Sequence, residues 1–195
     1  MRHRLVASLT LAGLVGGVGL VSAQVRDASG PGSEAGLAAP DNAVARLVAK
    51  VKDGKFKLEP DEDHGYLRSV LRSLEVPISS QVLVFSRTSL QRSRISPKTP
   101  RAIYFNDEVV VGFCLRGDVL EIAAADPILG TAFYTVDQHA EDGLAITRQT
   151  DSCLLCHGSS TNQGMPGHLV RSTFPDRTGE PVFSRGARRV DHSTP

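Results

Sequence analysis

Between residues 81 and 136 the chain repeats one pattern, a short β-branched or aromatic run followed by a turn signal. Gln81–Phe85 (QVLVF), Ala102–Phe105 (AIYF) and Glu108–Leu115 (EVVVGFCL) are followed by Val119–Ala124 and Thr131–Val136. Branching at Cβ restricts the side-chain rotamers and suits these residues to a pleated surface. Asn106-Asp107, Arg116-Gly117-Asp118 and Asp126-Pro127 with Gly130 stand between the runs. These residue types tolerate the backbone angles of tight turns. The connections are too short for crossover helices, so the pattern predicts an antiparallel meander of about four or five strands.

Two helices are expected before it. Asp41 or Asn42 is placed to cap a helix carrying Val44, Leu47, Val48 and Val51 on one face, with Gly54 as the stop. Leu67, Val70, Leu71 and Leu74 repeat that spacing from about Asp63 to Glu75, and Pro77 lies just beyond. Beyond Gln149 periodicity gives way to Gly, Pro, Ser and Arg. The fold class is therefore α+β: N-terminal helices and an antiparallel β meander together form a domain over residues 41–149, with an irregular C-terminal segment, 150–195, packed on it.

The start of the chain reads as an export signal. Arg2, His3 and Arg4 precede a largely apolar stretch from Leu5 to Leu20, and Val21-Ser22-Ala23 offers small residues for cleavage before Gln24. Four glycines, Ser8 and Thr10 make the stretch short and soft for a span of about 20 residues. Residues 1–23 are thus expected to be removed, leaving no stable membrane insertion and a periplasmic or secreted protein. Residues 24–40, rich in Gly, Ala, Ser and Pro, read as a flexible leader. With a net charge of +1, no Trp and 5% aromatic residues, nothing favours nucleic acid as a partner.

Chemistry concentrates in Cys153-Leu154-Leu155-Cys156-His157. C-x-x-C-H is the attachment signature of c-type haem. Residues i, i+3 and i+4 share one side of a helical turn. Cys153 and Cys156 can therefore each add to one vinyl group on the same haem edge while His157 presents its imidazole to the iron as proximal ligand. Its ring should be oriented by a hydrogen bond from the other nitrogen. Residues 150–195 are thus the haem-attachment segment, and attachment of this kind needs export, with which the N-terminus agrees.

Rival readings of the same residues are weaker. Structural zinc wants four ligands, and His168 and His192 lack the usual close pairing. An iron–sulfur cluster wants about four thiolates, and Cys114 is the one cysteine remaining. Thioredoxin-like redox chemistry would place the motif in a βαβ unit. A Cys153–Cys156 disulfide would close a very short loop. Cys114, inside an apolar run, reads as a small buried hydrophobe. Arg87, Arg92, Arg94, Lys98 and Arg101 read as a solvated loop, with haem propionates or an acidic partner as the alternative. For the distal iron ligand the candidates are His168 and Met165, then His192, His139 and His64, with a vacant or water-filled site as the alternative; Met165 and His168 follow His157 by 8 and 11 residues.

Several segments together resemble one family. LVFSRTSLQ, ISPKTPRAIYFND and LEIAAADPILG, followed by CLLCHG, GMPGHLVRS and DHSTP, are similar to exported bacterial cytochrome c-like proteins with a single C-terminal C-x-x-C-H. The resemblance runs from about Ser69 to Pro195, and relatives continue past that point, so a shortened or truncated member is expected. It implies one covalent haem c but supplies no established substrate or activity. One attachment motif with no catalytic constellation elsewhere reads as an electron carrier, exchanging electrons with redox partner proteins, rather than a catalyst. A haem-based sensor or small-ligand-binding module is the alternative, and a peroxidase-like enzyme, which would need a distal His or Arg, comes last.

Overall fold

A computed structural model describes residues 38–140, 146–158, 165–168, 171–172, 174–182 and 190–191. The expected signal (1–23) and the leader up to residue 37 lie outside the described residues, as does His192. Among the described residues no helix is long and apolar enough to cross a membrane. The fold is α+β, with two helices packed on one face of a six-stranded antiparallel sheet.

The first helix, α1 (Ala43–Lys52), begins where the side chain of Asn42 accepts the Ala45 N–H at 2.9 Å. It ends before Gly54, whose φ of +68° is easy for a residue without Cβ. The second, α2 (Leu67–Ser73), is shorter than the spacing predicts. Asp61 explains the difference: its carboxylate accepts the N–H groups of Asp63 (3.1 Å) and His64 (2.8 Å). That side-chain turn, closed by Gly65 at φ +56°, takes up the residues that would otherwise have formed the first helical turn.

The meander runs in chain order: β1 (Val82–Val84), β2 (Arg101–Phe105), β3 (Val109–Phe113), β4 (Val119–Asp126), β5 (Gly130–Asp137) and β6 (Ile146–Gln149). Sequence periodicity finds the first five and misses β6, whose Ile146-Thr147-Arg148-Gln149 carries one apolar residue. Pairing aligns Tyr104, Val111, Ile122 and Tyr134 in one row across the sheet. All four are buried against α1 and α2 with Val44, Leu47, Leu67, Val70 and Leu71. Leu120, 0% exposed, sits in this core. Leu120→Ala is expected to cost about 2–5 kcal/mol of unfolding free energy, read as a lower urea midpoint with unchanged slope.

Asp126 locks the helical layer to the sheet. One carboxylate oxygen accepts from the Asp41 N–H and from Asn42 Nδ2, both at 2.8 Å. The other accepts the N–H groups of Ile128 (3.0 Å) and Leu129 (2.9 Å), shaping the β4–β5 turn. Ala38, near the end of the expected leader, already packs on the core, and its carbonyl accepts from Arg148 at 2.8 Å.

Side chains alternate between the two faces of a strand, so the second face of the sheet carries Ile103, Gly112, Glu121 and Thr135 in one row and Ala123, Phe133 and Gln149 in another. Phe133 and Thr135 are buried there although neither faces α1 or α2. The short helix α3 (Leu154–His157) lies on this face. Two further two-residue strands, β7 (Arg171–Ser172) and β8 (Val190–Asp191), pair with each other.

Candidate functional site

The motif occupies a single helical turn. The Leu155 N–H donates to the Asp151 carbonyl (3.2 Å), that of Cys156 to Cys153 (3.3 Å), that of His157 to Cys153 (3.0 Å) and that of Gly158 to Leu154 (2.8 Å). Cys153, Cys156 and His157 thereby take the i, i+3, i+4 arrangement the spacing predicts. Neither cysteine of the motif is in a disulfide. Leu155, 82% exposed, and the exposed Cys156 put one side of the turn at the surface. Cys153 is half-buried toward the sheet. Burial first, then the negative charges of Glu121 and Asp151, push its thiol up to about 11, so it stays protonated at neutral pH.

His157 is held on two sides. Its ring packs on Phe133, centroids 4.7 Å apart at 46°. Its Nδ1 lies 3.0 Å from the carbonyl oxygen of Gly167, and the Gly167 N–H returns a bond of 3.1 Å to the His157 carbonyl. A carbonyl only accepts, so Nδ1 carries the ring proton and Nε2 carries the lone pair of the neutral imidazole. A metal-binding histidine needs that tautomer when its outer nitrogen is the donor to the metal. Unbridged thiols at i and i+3 and an imidazole oriented through its inner nitrogen fit a covalently attached haem. Cys153 and Cys156 would hold its edge and His157 its iron. Between α3 and the sheet the described residues enclose about 10 Å³, room for one water, walled by Leu129, Phe133, Gln149, Leu154 and Pro166.

Two of the other candidate ligands, His64 and His139, sit at turns elsewhere in the fold. His64 sits in the Asp61 turn, its ring 5.9 Å from Phe113 on the helix-bearing face of the sheet. With Asp61 and Asp63 it brings three potential ligand atoms within 4.8 Å of one another. Asp61 Oδ1 there already accepts the turn's own N–H groups, while Asp61 Oδ2 and His64 Nδ1 are buried without a hydrogen-bond partner among the described residues. His139 Nε2 lies 3.6 Å from Asp118, beside the β3–β4 turn. Met165 and His168 flank the Pro166-Gly167 pair that touches His157, Met165 exposed and His168 half-buried.

Cys114 is buried, and burial raises its thiol, with Glu121 adding to the effect. The basic loop residues are largely paired within the chain. Arg87 reaches Glu180 at 3.0 Å, Arg92 the same carboxylate at 3.5 Å, and Arg94 reaches Asp118 at 3.0 Å. Arg101 meets Glu121 at 2.5 Å, its guanidinium lying where a Cβ on Gly112 would stand.

Two features of the site escape sequence reasoning. Phe133 reads as one more strand aromatic, although its parity with Ala123 and Gln149 places it opposite the core-facing Ala132 and Tyr134. The Gly167 carbonyl is a backbone atom with no signature in the sequence. Comparison of the chain with protein-family models, with curated proteins and with solved structures finds no match.

Proposed function

We propose that the chain is a c-type cytochrome. It carries one haem c covalently through Cys153 and Cys156, with His157 as the proximal iron ligand, and exchanges electrons with redox partner proteins outside the cytoplasm. The observation that carries this reading is the single turn of α3. It places two thiols and one imidazole at i, i+3 and i+4, with the imidazole's inner nitrogen engaged by the Gly167 carbonyl. Haem supplies a one-electron ferric–ferrous couple when bound. The chain's own part is to fix the axial imidazole and to raise its basicity through the Nδ1 bond, which favours the ferric state.

The export signal supports the location, because the covalent attachment of haem takes place outside the bacterial cytoplasm. Absorption spectra of the full chain, produced with a haem-attachment system and exported, test the proposal. The reduced protein should show the sharp paired visible bands of a low-spin c-type haem and be reoxidised reversibly. A colourless product that binds stoichiometric zinc would show instead that the cysteines serve another metal.

A further inference from the structure

We propose that Met165–His168 is a proximal strap, seated on Gly130 and holding His157 through the Gly167 carbonyl, so that neither Met165 nor His168 supplies the second axial ligand. The inference rests on the haem reading above and adds to it a statement about which side of the haem this segment occupies.

The strap is anchored at both ends of its contact with the fold. Gly167 makes two bonds to His157, one from its N–H to the His157 carbonyl and one from its carbonyl to Nδ1. Pro166, buried, lays its carbonyl against Gly130 at the start of β5. A Cβ on Gly130 would stand 2.6 Å from that oxygen and 3.9 Å from the Met165 methyl group. Gly130 also takes φ +74°. Both the backbone angle and the close approach therefore demand glycine.

The two imidazole nitrogens point to opposite sides of the ring. Whatever bonds Nδ1 lies behind the histidine, away from the iron that Nε2 would hold, and a distal ligand must lie beyond the iron on the other side of the macrocycle. His168 is the next residue after Gly167, about 3.8 Å further along the chain. One residue and an imidazole are too short to pass round a haem edge. Met165 lies two residues to the other side, and its methyl group reaches toward Gly130 rather than away from the sheet. The strap is thus a positioning element for the proximal imidazole. Loosening it should weaken the Nδ1 bond, lower the basicity of His157 and raise the reduction potential.

The test compares the full haem-loaded chain with Met165→Ala, His168→Ala, Gly130→Ala and Gly54→Ala. Gly54 has the same left-handed backbone, φ +68°, and nothing lies within 4 Å of the place a Cβ would take, so it isolates the conformational cost of losing glycine. Met165→Ala and His168→Ala should leave the ferric and ferrous band positions and carbon monoxide binding unchanged. Gly130→Ala should raise the potential with the haem still attached, while Gly54→Ala lowers stability and leaves the potential alone. The strap is overturned if Met165→Ala abolishes a long-wavelength sulfur-to-iron band in the ferric protein. It is equally overturned if His168→Ala opens a carbon monoxide site the parent lacks, or if Gly130→Ala matches the parent potential. A product without covalent haem fails the haem reading itself, and the missing spectrum tells that failure apart from the others.

Discussion

Replacing Cys153 and Cys156 together with alanine is expected to abolish haem staining of the denatured chain, whereas Cys114→Ala should leave it intact. The contrast follows from where the three thiols stand. Cys153 and Cys156 share the single turn of α3 with His157, and Cys156 is exposed. Cys114 is buried just after β3, 2% exposed, under the turn that leads to Gly117. Its thiol is buried and lies outside the helical turn that sets the i, i+3 spacing, so it is not expected to replace either partner. Each single variant, Cys153→Ala or Cys156→Ala, retains one thiol and should stain weakly. Full staining of the double variant would show that the thiols do not hold the cofactor, and loss of stain in Cys114→Ala would show that the wrong pair had been assigned.

Asp126→Ala is expected to lower the unfolding free energy by about 3 kcal/mol, because it leaves several donors in a largely buried place without their acceptor. These are Asn42 Nδ2 and the N–H groups of Asp41, Ile128 and Leu129. The loss should also depend on pH. Burial alone would raise the Asp126 carboxyl, but the bonds from Leu129, Asn42, Ile128 and Asp41 outweigh it and hold the group below its ordinary value. A depressed native value means that the unfolded chain takes up the proton first as pH falls. The stabilisation is complete above about pH 4, the ordinary range for an aspartate, and disappears as pH drops through the native value. Urea titrations of parent and variant at neutral pH and near pH 3 should therefore show a gap that narrows in acid. Asp61 and Asp176, also held low, titrate alike in both proteins and cancel from the difference. A gap independent of pH would mean that the charge on Asp126 contributes nothing.

The meander is legible in the sequence because its strands are runs rich in β-branched and aromatic residues and because Asn106, Arg116-Gly117 and Asp126-Pro127 mark its turns. Strand β6 is not, since an edge strand of Ile-Thr-Arg-Gln beside β5 has little apolar character to announce it. The start of α2 shifts from its expected place for a local reason. The spacing starts this helix at about Asp63, yet Asp61 takes the Asp63 N–H and that of His64 for a turn. The helical turn of the motif is legible, because the i, i+3 and i+4 spacing puts three side chains on one turn. What holds them is not. The Gly167 carbonyl, the Phe133 ring and the seat at Gly130 depend on which residues the fold brings face to face, and a backbone oxygen or a missing Cβ leaves no periodic trace.

Acid–acetone extraction of the exported chain, followed by an alkaline pyridine spectrum of the precipitated protein, tests the central claim most directly. The haem should stay with the protein at about one per chain, with the reduced band at the position that marks two vinyl groups converted to thioethers. Haem that passes into the acetone, or a band at the position of unmodified vinyl groups, would contradict covalent attachment through Cys153 and Cys156.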